Sequence, residues 1–261
     1  MINENDYVLL ILPKKRVKTW LIKIKTERFQ THRGWIDLSD LIGMKYGSFI
    51  TSSTGQKFLV LQPRPKDFIR HSRKITQVIY PDDSLAIIGA AAIGPGSRII
   101  ELTGSGALTT FLAYHIQPNG HIFSYDAHEE HLKIAQANLE RIGLDHLVTW
   151  KKRNIKEGGF DEKDLDAIIL DMPDPWEALT PMRSALKAGG VGVFFLPNWP
   201  QIEQTIATAL KKGFWIQEVF ELSRRNYLFD IDQQILRPET RGILFTGIIL
   251  VTRCLANQEN T

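Results

Sequence analysis

The stretch 101-ELTGSGALTT-110 places an acid, Glu101, near the end of an apolar run, 98-RIIEL-102, and follows it with a loop carrying Gly104 and Gly106. A helix-like pattern over about 106–117 comes next. Strand, glycine loop and helix start is the local order that brings bare backbone N–H groups up to a nucleotide-type ligand. Two more acids close apolar runs: Asp126 ends 121-HIFSYD-126, 20 residues after Gly106, and Asp171 ends 165-LDAIILD-171 and opens 171-DMPDPW-176. An acid at the first spacing accepts hydrogen bonds from ribose hydroxyls. An acid followed closely by Pro173 and Pro175 sits on a stiffened turn that can aim it. Each acid alone reads equally well as a cap or turn residue; all three on one sheet rim read as a site.

Two ligand classes fit these positions. A dinucleotide would use Gly104, Gly106 and Asp126, but G-S-G-A-L-T lacks the third glycine that packs helix against strand in G-x-G-x-x-G. The proline-set acid and a terminal β pair point instead to S-adenosylmethionine, which needs a close glycine backbone and acidic acceptors and has no pyrophosphate to cradle. An NAD-linked enzyme on a similar sheet is the lesser alternative. His128 and His131 share a helix face, yet Glu129 and Glu130 beside them favour a solvated surface, and the single cysteine, Cys254, supports no zinc site, so no metal is expected. Neither a nucleophile-elbow serine nor a G-x-x-x-x-G-K-[ST] loop occurs.

The elements that must position these residues divide the chain. Residues 1–68 hold short β-type runs (7-YVLLIL-12, 17-VKTWLIKIK-25, 58-FLVLQP-63) separated by turn signals, which predicts a small β-rich domain. Residues 69–90 read as a connector, and the overlapping segment 64–83 reads as carrying a short helix ended by Pro81. Residues 91–261 alternate strand and helix, which predicts an α/β fold with a mostly parallel, doubly wound sheet. In the helix over 128–143, Leu132, Ala135, Leu139 and Ile142 share a face. Further helices are expected near 176–187 and over 200–212. The runs 214-FWIQEVFEL-222 and 243-ILFTGIILVTRC-254 have no helical period between them and are expected as antiparallel neighbours.

Residues 1–74 carry 15 Lys+Arg against 6 Asp+Glu, a charge of +9, while the remainder carries 17 against 23, or −6. The asymmetry suggests a basic module that meets a polyanion. One cysteine and no apolar run long enough for a signal or a span predict a soluble, cytoplasmic protein with no membrane partner. The insertion 223-SRRNYLFDIDQQILRPETR-241 carries Arg224, Arg225, Tyr227, Arg237 and Arg241; it reads as an RNA contact or as a solvated loop whose arginines pair with Asp230, Asp232 and Glu239.

Residues 29-FQTHRGWIDLSDLIG-43, 73-RKITQVIYPDD-83, 101-ELTGSGALT-109, 124-SYDAHEEH-131, 171-DMPDPW-176 and 242-GILFTGIIL-250 together resemble the tRNA (adenine-N1)-methyltransferases that modify T-loop position 58. The resemblance implies a class I methyltransferase domain, Rossmann-like, with an antiparallel last strand, after a β-rich N-terminal domain. It further implies S-adenosylmethionine as cofactor, tRNA as partner and a homotetramer. Cofactor contacts are then expected from Glu101, Thr103, Gly104, Ser105, Gly106, Ala107, Leu108, Asp126, Asn154, Asp171 and Gln77. Asp171 is the expected catalytic group, and Arg73, Tyr80, Pro173, Trp176, Arg224, Arg225, Tyr227 and Arg237 are expected to meet the RNA, although Trp176 reads more readily as core packing. Three positions depart from the family pattern: Leu102 stands where a first glycine is usual and the loop is one residue shorter, Asn154 replaces an aspartate, and Phe245 replaces a histidine. A leucine resists φ > 0, so the short loop raises an alternative: a cofactor-poor tRNA-binding paralogue that serves as a structural or partner subunit.

Overall fold

The computed structural model describes residues 1–13, 17–72, 77–104, 106–230 and 233–256, and the chain forms two compact units, Met1–Arg73 and Lys74–Thr261. In the first, β1 (Tyr7–Leu12), β2 (Lys18–Lys23), β5 (Phe49–Thr51) and β6 (Lys57–Leu61) make a four-stranded antiparallel sheet in the order β2-β1-β6-β5. A hairpin of β3 (Arg28–Thr31) and β4 (Gly34–Asp37) forms a two-stranded sheet of its own that packs on the same core, and α1 (Pro65–Arg70) follows β6. Alternation explains the core: Val8, Leu10, Leu12, Phe58 and Val60 all turn inward, with Ile2, Ile24, Ile36, Leu38 and Leu41 closing around them. Gly34 is required at its hairpin, because its φ is +88° and a Cβ there would lie 2.6 Å from Ser53 Oγ.

The second unit opens with α2 (Pro81–Ala90), followed by β7 (Arg98–Leu102), α3 (Ala107–His115), β8 (His121–Asp126), α4 (Glu129–Glu140), β9 (Val148–Lys152) and α5 (Ile155–Gly158). It continues with β10 (Leu165–Leu170), α6 (Leu179–Ala185), β11 (Leu186–Leu196), α7 (Trp199–Lys211), β12 (Phe214–Phe220), β13 (Tyr227–Asp230), β14 (Ile235–Pro238) and β15 (Ile248–Cys254). Its sheet has seven strands in the order β12-β15-β11-β10-β7-β8-β9. The neighbours from β11 to β9 pair in parallel, and β15 runs antiparallel to both β11 and β12. This is the mostly parallel sheet with an antiparallel last strand that the sequence implies. Chain order reverses between β7 and β10, so Leu102 and Asp171 meet at the switch point, where open α/β sheets bind ligands.

Burial follows from position in the sheet. The central strands are covered on both faces and carry apolar runs, as in Ile99, Ile100, Ile168, Ile169 and Leu170. Leu179 and Met182 of α6 and Ile202 and Ala209 of α7 pack on one side of them. α4 buries Leu132, Ala135 and Leu139 as its periodicity predicts, while Ile142 falls beyond the helix end. Pro81, expected as a helix stop, is instead the first residue of α2: its missing N–H costs nothing in a first turn, and Asp82 and Asp83 behind it favour a helix start. The hairpin β13–β14 inside the insertion is also absent from the sequence reading. No helix among the described residues is long and apolar enough to cross a membrane.

Candidate active site at the carboxyl rim of the sheet

The shortened loop folds without strain at Leu102. That leucine stays in β7, paired with Leu170, and is not among the residues of positive φ. The left-handed conformations fall on Gly104, φ +72°, and Gly106, φ +79°. Gly106 caps α3, and a Cβ on it would lie 2.8 Å from the Cα of Ala135, so α4 can press against the loop. Beneath the loop, Glu101 is 1% exposed. Thr109 Oγ1 donates to its Oε1 at 2.9 Å and Thr103 Oγ1 to its Oε2. Burial pushes this carboxyl up from its usual range, against the hydroxyls of Ser124, Thr103 and Thr109, which favour the ion, and Asp126 adds a little to the rise. Glu101 therefore fastens the loop from behind.

A cleft of about 410 Å³ opens above these strand ends. Of the expected residues, Gln77, Thr103, Gly104, Asp126, Asn154, Asp171 and Pro173 line it. Glu101, Gly106, Ala107 and Leu108 stand behind the lining, and Ser105 and Arg73 lie outside the described residues. Sequence reasoning missed His128, His131 and Arg153, which also line it. His131 Nδ1 meets Asp126 Oδ2 at 2.9 Å, and the His128 backbone N–H donates to Oδ1 at 2.7 Å. Each carboxylate oxygen holds one protein donor and keeps capacity for another, which suits a vicinal diol. The neighbouring glutamates hid this role, since a His-Glu-Glu-His run looks like solvated helix surface.

Asn154 caps α5: its Oδ1 accepts from Lys156 N at 3.2 Å and its Nδ2 donates to Glu157 Oε1 at 2.7 Å. Asp171 sits on a turn held from three sides. Its backbone N–H donates to Leu102 O at 2.9 Å, Gln201 Nε2 of α7 donates to Pro173 O at 3.1 Å, and Lys156 Nζ binds Asp174 at 2.9 Å and Glu177 at 2.7 Å. The Asp171 side chain is open at the cleft floor, yet its carboxyl is pushed up to about 6, first by crowding that strips water from it and second by Glu101. At neutral pH it remains mostly ionised, an acceptor looking for a donor. Trp176 is partly buried against the core cluster, which supports its packing role.

A second, larger pocket of about 700 Å³ lies between the insertion and the start of α2. Tyr80, Arg224 and Arg225 line it; Tyr227 and Arg237 belong to the exposed hairpin. Arg224 pairs with Asp82, at 2.8 and 3.0 Å, rather than with an acid of the insertion, and Asp232 lies outside the described residues.

Residues 57–237 match the family model described as tRNA methyltransferase complex GCD14 subunit. A relative from Methanocaldococcus jannaschii, named tRNA (adenine(57)-N(1)/adenine(58)-N(1))-methyltransferase TrmI, is 32% identical over 93% of this chain and 94% of its own. The solved tRNA (m1A58) methyltransferase TrmI of Aquifex aeolicus is 26% identical and superposes with a TM-score of 0.82, covering 98% of this chain and 99% of its own. A Thermotoga maritima structure titled as a SAM-dependent O-methyltransferase is 34% identical with a TM-score of 0.90, covering 99% of this chain and 96% of its own.

Proposed function

The chain belongs to the tRNA methyltransferase complex GCD14 subunit family, and from that premise we propose that it transfers a methyl group from S-adenosylmethionine to N1 of adenine at position 58 of the tRNA T-loop. The observation that carries this reading is Asp171, an ionisable acceptor at the floor of the same cleft whose wall holds Gly104 and Asp126. The cleft suits the cofactor: its volume of about 410 Å³ is in the range of small-molecule sites, Gly104 offers bare backbone, and Asp126 offers acceptors for the ribose. Asn154 would face the adenine edge with the remaining lone pair of its Oδ1. When bound, the cofactor supplies an electrophilic methyl on a sulfonium.

Adenine N1 carries a lone pair and no proton, so no general base is needed. What the protein must do is place N1 in line with the methyl and stabilise the positive charge that grows on the base. A carboxylate accepting from the exocyclic amino group does both, because that amino group becomes a stronger donor as the ring gains charge. Asp171 is assigned this part. The base edge is hidden in folded tRNA, so the nucleotide must be extruded into the cleft. Exposed Phe229 and Leu236 supply apolar surface for the homotetramer that the family resemblance implies, and a sedimentation mass of one chain would exclude it.

The test is direct. Purified protein with cofactor and tRNA should yield 1-methyladenosine at position 58, read as a primer-extension stop, and Asp171→Ala should lower the rate by about a hundredfold or more. Folded protein that binds the cofactor but leaves position 58 unmodified would sink the proposal.

A further inference from the structure

The second pocket contains a group that the methyl-transfer chemistry does not use. Asp83, in the first turn of α2, is 2% exposed. Thr246 Oγ1 donates to its Oδ1 at 3.0 Å, and its Oδ2 has no hydrogen-bond partner among the described residues. A sealed carboxylate oxygen without a donor is costly to a fold and is kept where something else supplies the donor. Burial is also the first cause of a raised carboxyl at this position, with Asp82 adding to it and Thr246 opposing.

The walls around Asp83 select the ligand. Arg224 is already neutralised by Asp82, but Arg225 and Arg241 pair with no carboxylate among the described residues. Glu239, the other acid of the pocket, is exposed, and its backbone N–H donates to Asn226 O at 2.9 Å. An acceptor without a donor, next to two unmatched guanidinium groups, fits one nucleotide of an RNA: arginines take a phosphodiester, and a carboxylate takes an N–H or O–H of the same residue. The pocket lies past the end of β12, before the start of β15 and at the head of α2, on the rim that also carries Asp171. From β10 to β15 is two strand spacings, about 10 Å. That is within reach of a nucleotide close to the target in the same strand.

Resting on the tRNA-methyltransferase reading, we propose that this pocket binds a nucleotide flanking the target adenine, with its phosphodiester on Arg225 and Arg241 and a donor group of its base or its 2′-hydroxyl on Oδ2 of Asp83, an oxygen closed to water in the free fold that the entering nucleotide must uncover. The site is separate from the cofactor cleft, with which it shares no lining residue.

The experiment measures tRNA affinity by filter binding and cofactor affinity by calorimetry on the full chain. Asp83→Asn keeps size and the Thr246 contact but presents an amide N–H where an acceptor is needed. It should weaken tRNA about tenfold and leave the cofactor unchanged. Arg225→Ala should weaken tRNA and lower the salt slope of binding by about one. Single 2′-deoxy and single base changes along the T-loop separate the two donors: the change that weakens the wild type and costs Asp83→Asn nothing more identifies the group. Wild-type tRNA binding that Asp83→Asn leaves untouched overturns the pocket alone. An Asp83→Asn effect seen in sedimentation mass but not in tRNA affinity also overturns it, and marks a contact between copies of the chain. Failure of the wild type to bind tRNA at all removes the functional reading along with it.

Discussion

Asp171 has a carboxyl raised to about 6 from an ordinary 3.8, which carries two consequences of opposite sign. In the role proposed for it, the ion must be present to accept from the adenine amino group, so kcat/KM should be level above pH 6 and fall about tenfold per unit below it. For stability, a carboxyl whose folded value is raised helps the fold only while protonated. Its contribution is complete below about pH 4 and is lost as pH rises through 6. Asp171→Asn should therefore melt at a higher temperature than the wild type at pH 7 while losing methyl transfer; a lower melting temperature would show that the acid is structural. At this scale much was legible. Asp126 and Asp171 stand at the cleft because an acid at a strand end is visible as an interruption of an apolar run. His131 and Asp83 were not, because one joins the site through a turn of helix and the other through Thr246, 163 residues away in the chain.

Tertiary partners decide how firmly the strand ends hold their acids. At the cleft wall, Tyr125 near the end of β8 donates to Glu162 Oε2 at 2.6 Å, and Lys151 of β9 binds both Glu162 and Asp161. Arg153 grips Asp161 through both oxygens, at 2.5 and 2.9 Å. Asp161 is pushed down to about 2, first by Arg153 and then by Lys151, so its share of stability is present above pH 4 and gone below about 2. Tyr125 precedes Asp126 and Arg153 precedes Asn154, so this network fixes the backbone of two residues proposed above as cofactor contacts. Asp161→Asn should raise KM for the cofactor several-fold while tRNA affinity stays level; an equal loss of both would reduce the network to general stability. The strands of the seven-stranded sheet, the glycine loop and the terminal antiparallel pair were readable from periodicity and turn residues, whereas the short strands β3, β4 and β5 were not. The start of α2 was not, because a proline in a polar segment signals either a stop or a first turn, and only Asp82 and Asp83 behind it tip the balance. The β13–β14 hairpin was obscured because Tyr227, Leu228, Phe229, Ile235 and Leu236 are exposed, so no inward face imposes alternation.

Over the whole molecule, charge is distributed against the net value. Residues 1–74 carry +9 and the rest −6, a polarity that a total of +3 conceals. If this basic segment meets the tRNA, affinity for tRNA should drop by at least about tenfold between 50 and 200 mM salt, and cofactor affinity should hardly move. A salt-independent tRNA affinity, measured by filter binding over that range, would assign the basic residues to simple solvation.

Lys156 gives the two halves of the site a common mechanical fate. Its backbone N–H answers to Asn154, on the side assigned to the cofactor, and its ammonium answers to Asp174 and Glu177, on the turn that carries Asp171. In the language of linkage, if this tie lets occupancy at one end bias the other, the bias is reciprocal: whatever factor the cofactor confers on tRNA affinity, tRNA must confer on cofactor affinity. Lys156→Met cuts the ammonium half of that tie while leaving the backbone half in place, so the two affinities should become independent of one another. An undiminished coupling factor in that variant would mean that the message travels through the sheet itself, by way of Asp171 N–H and Leu102 O.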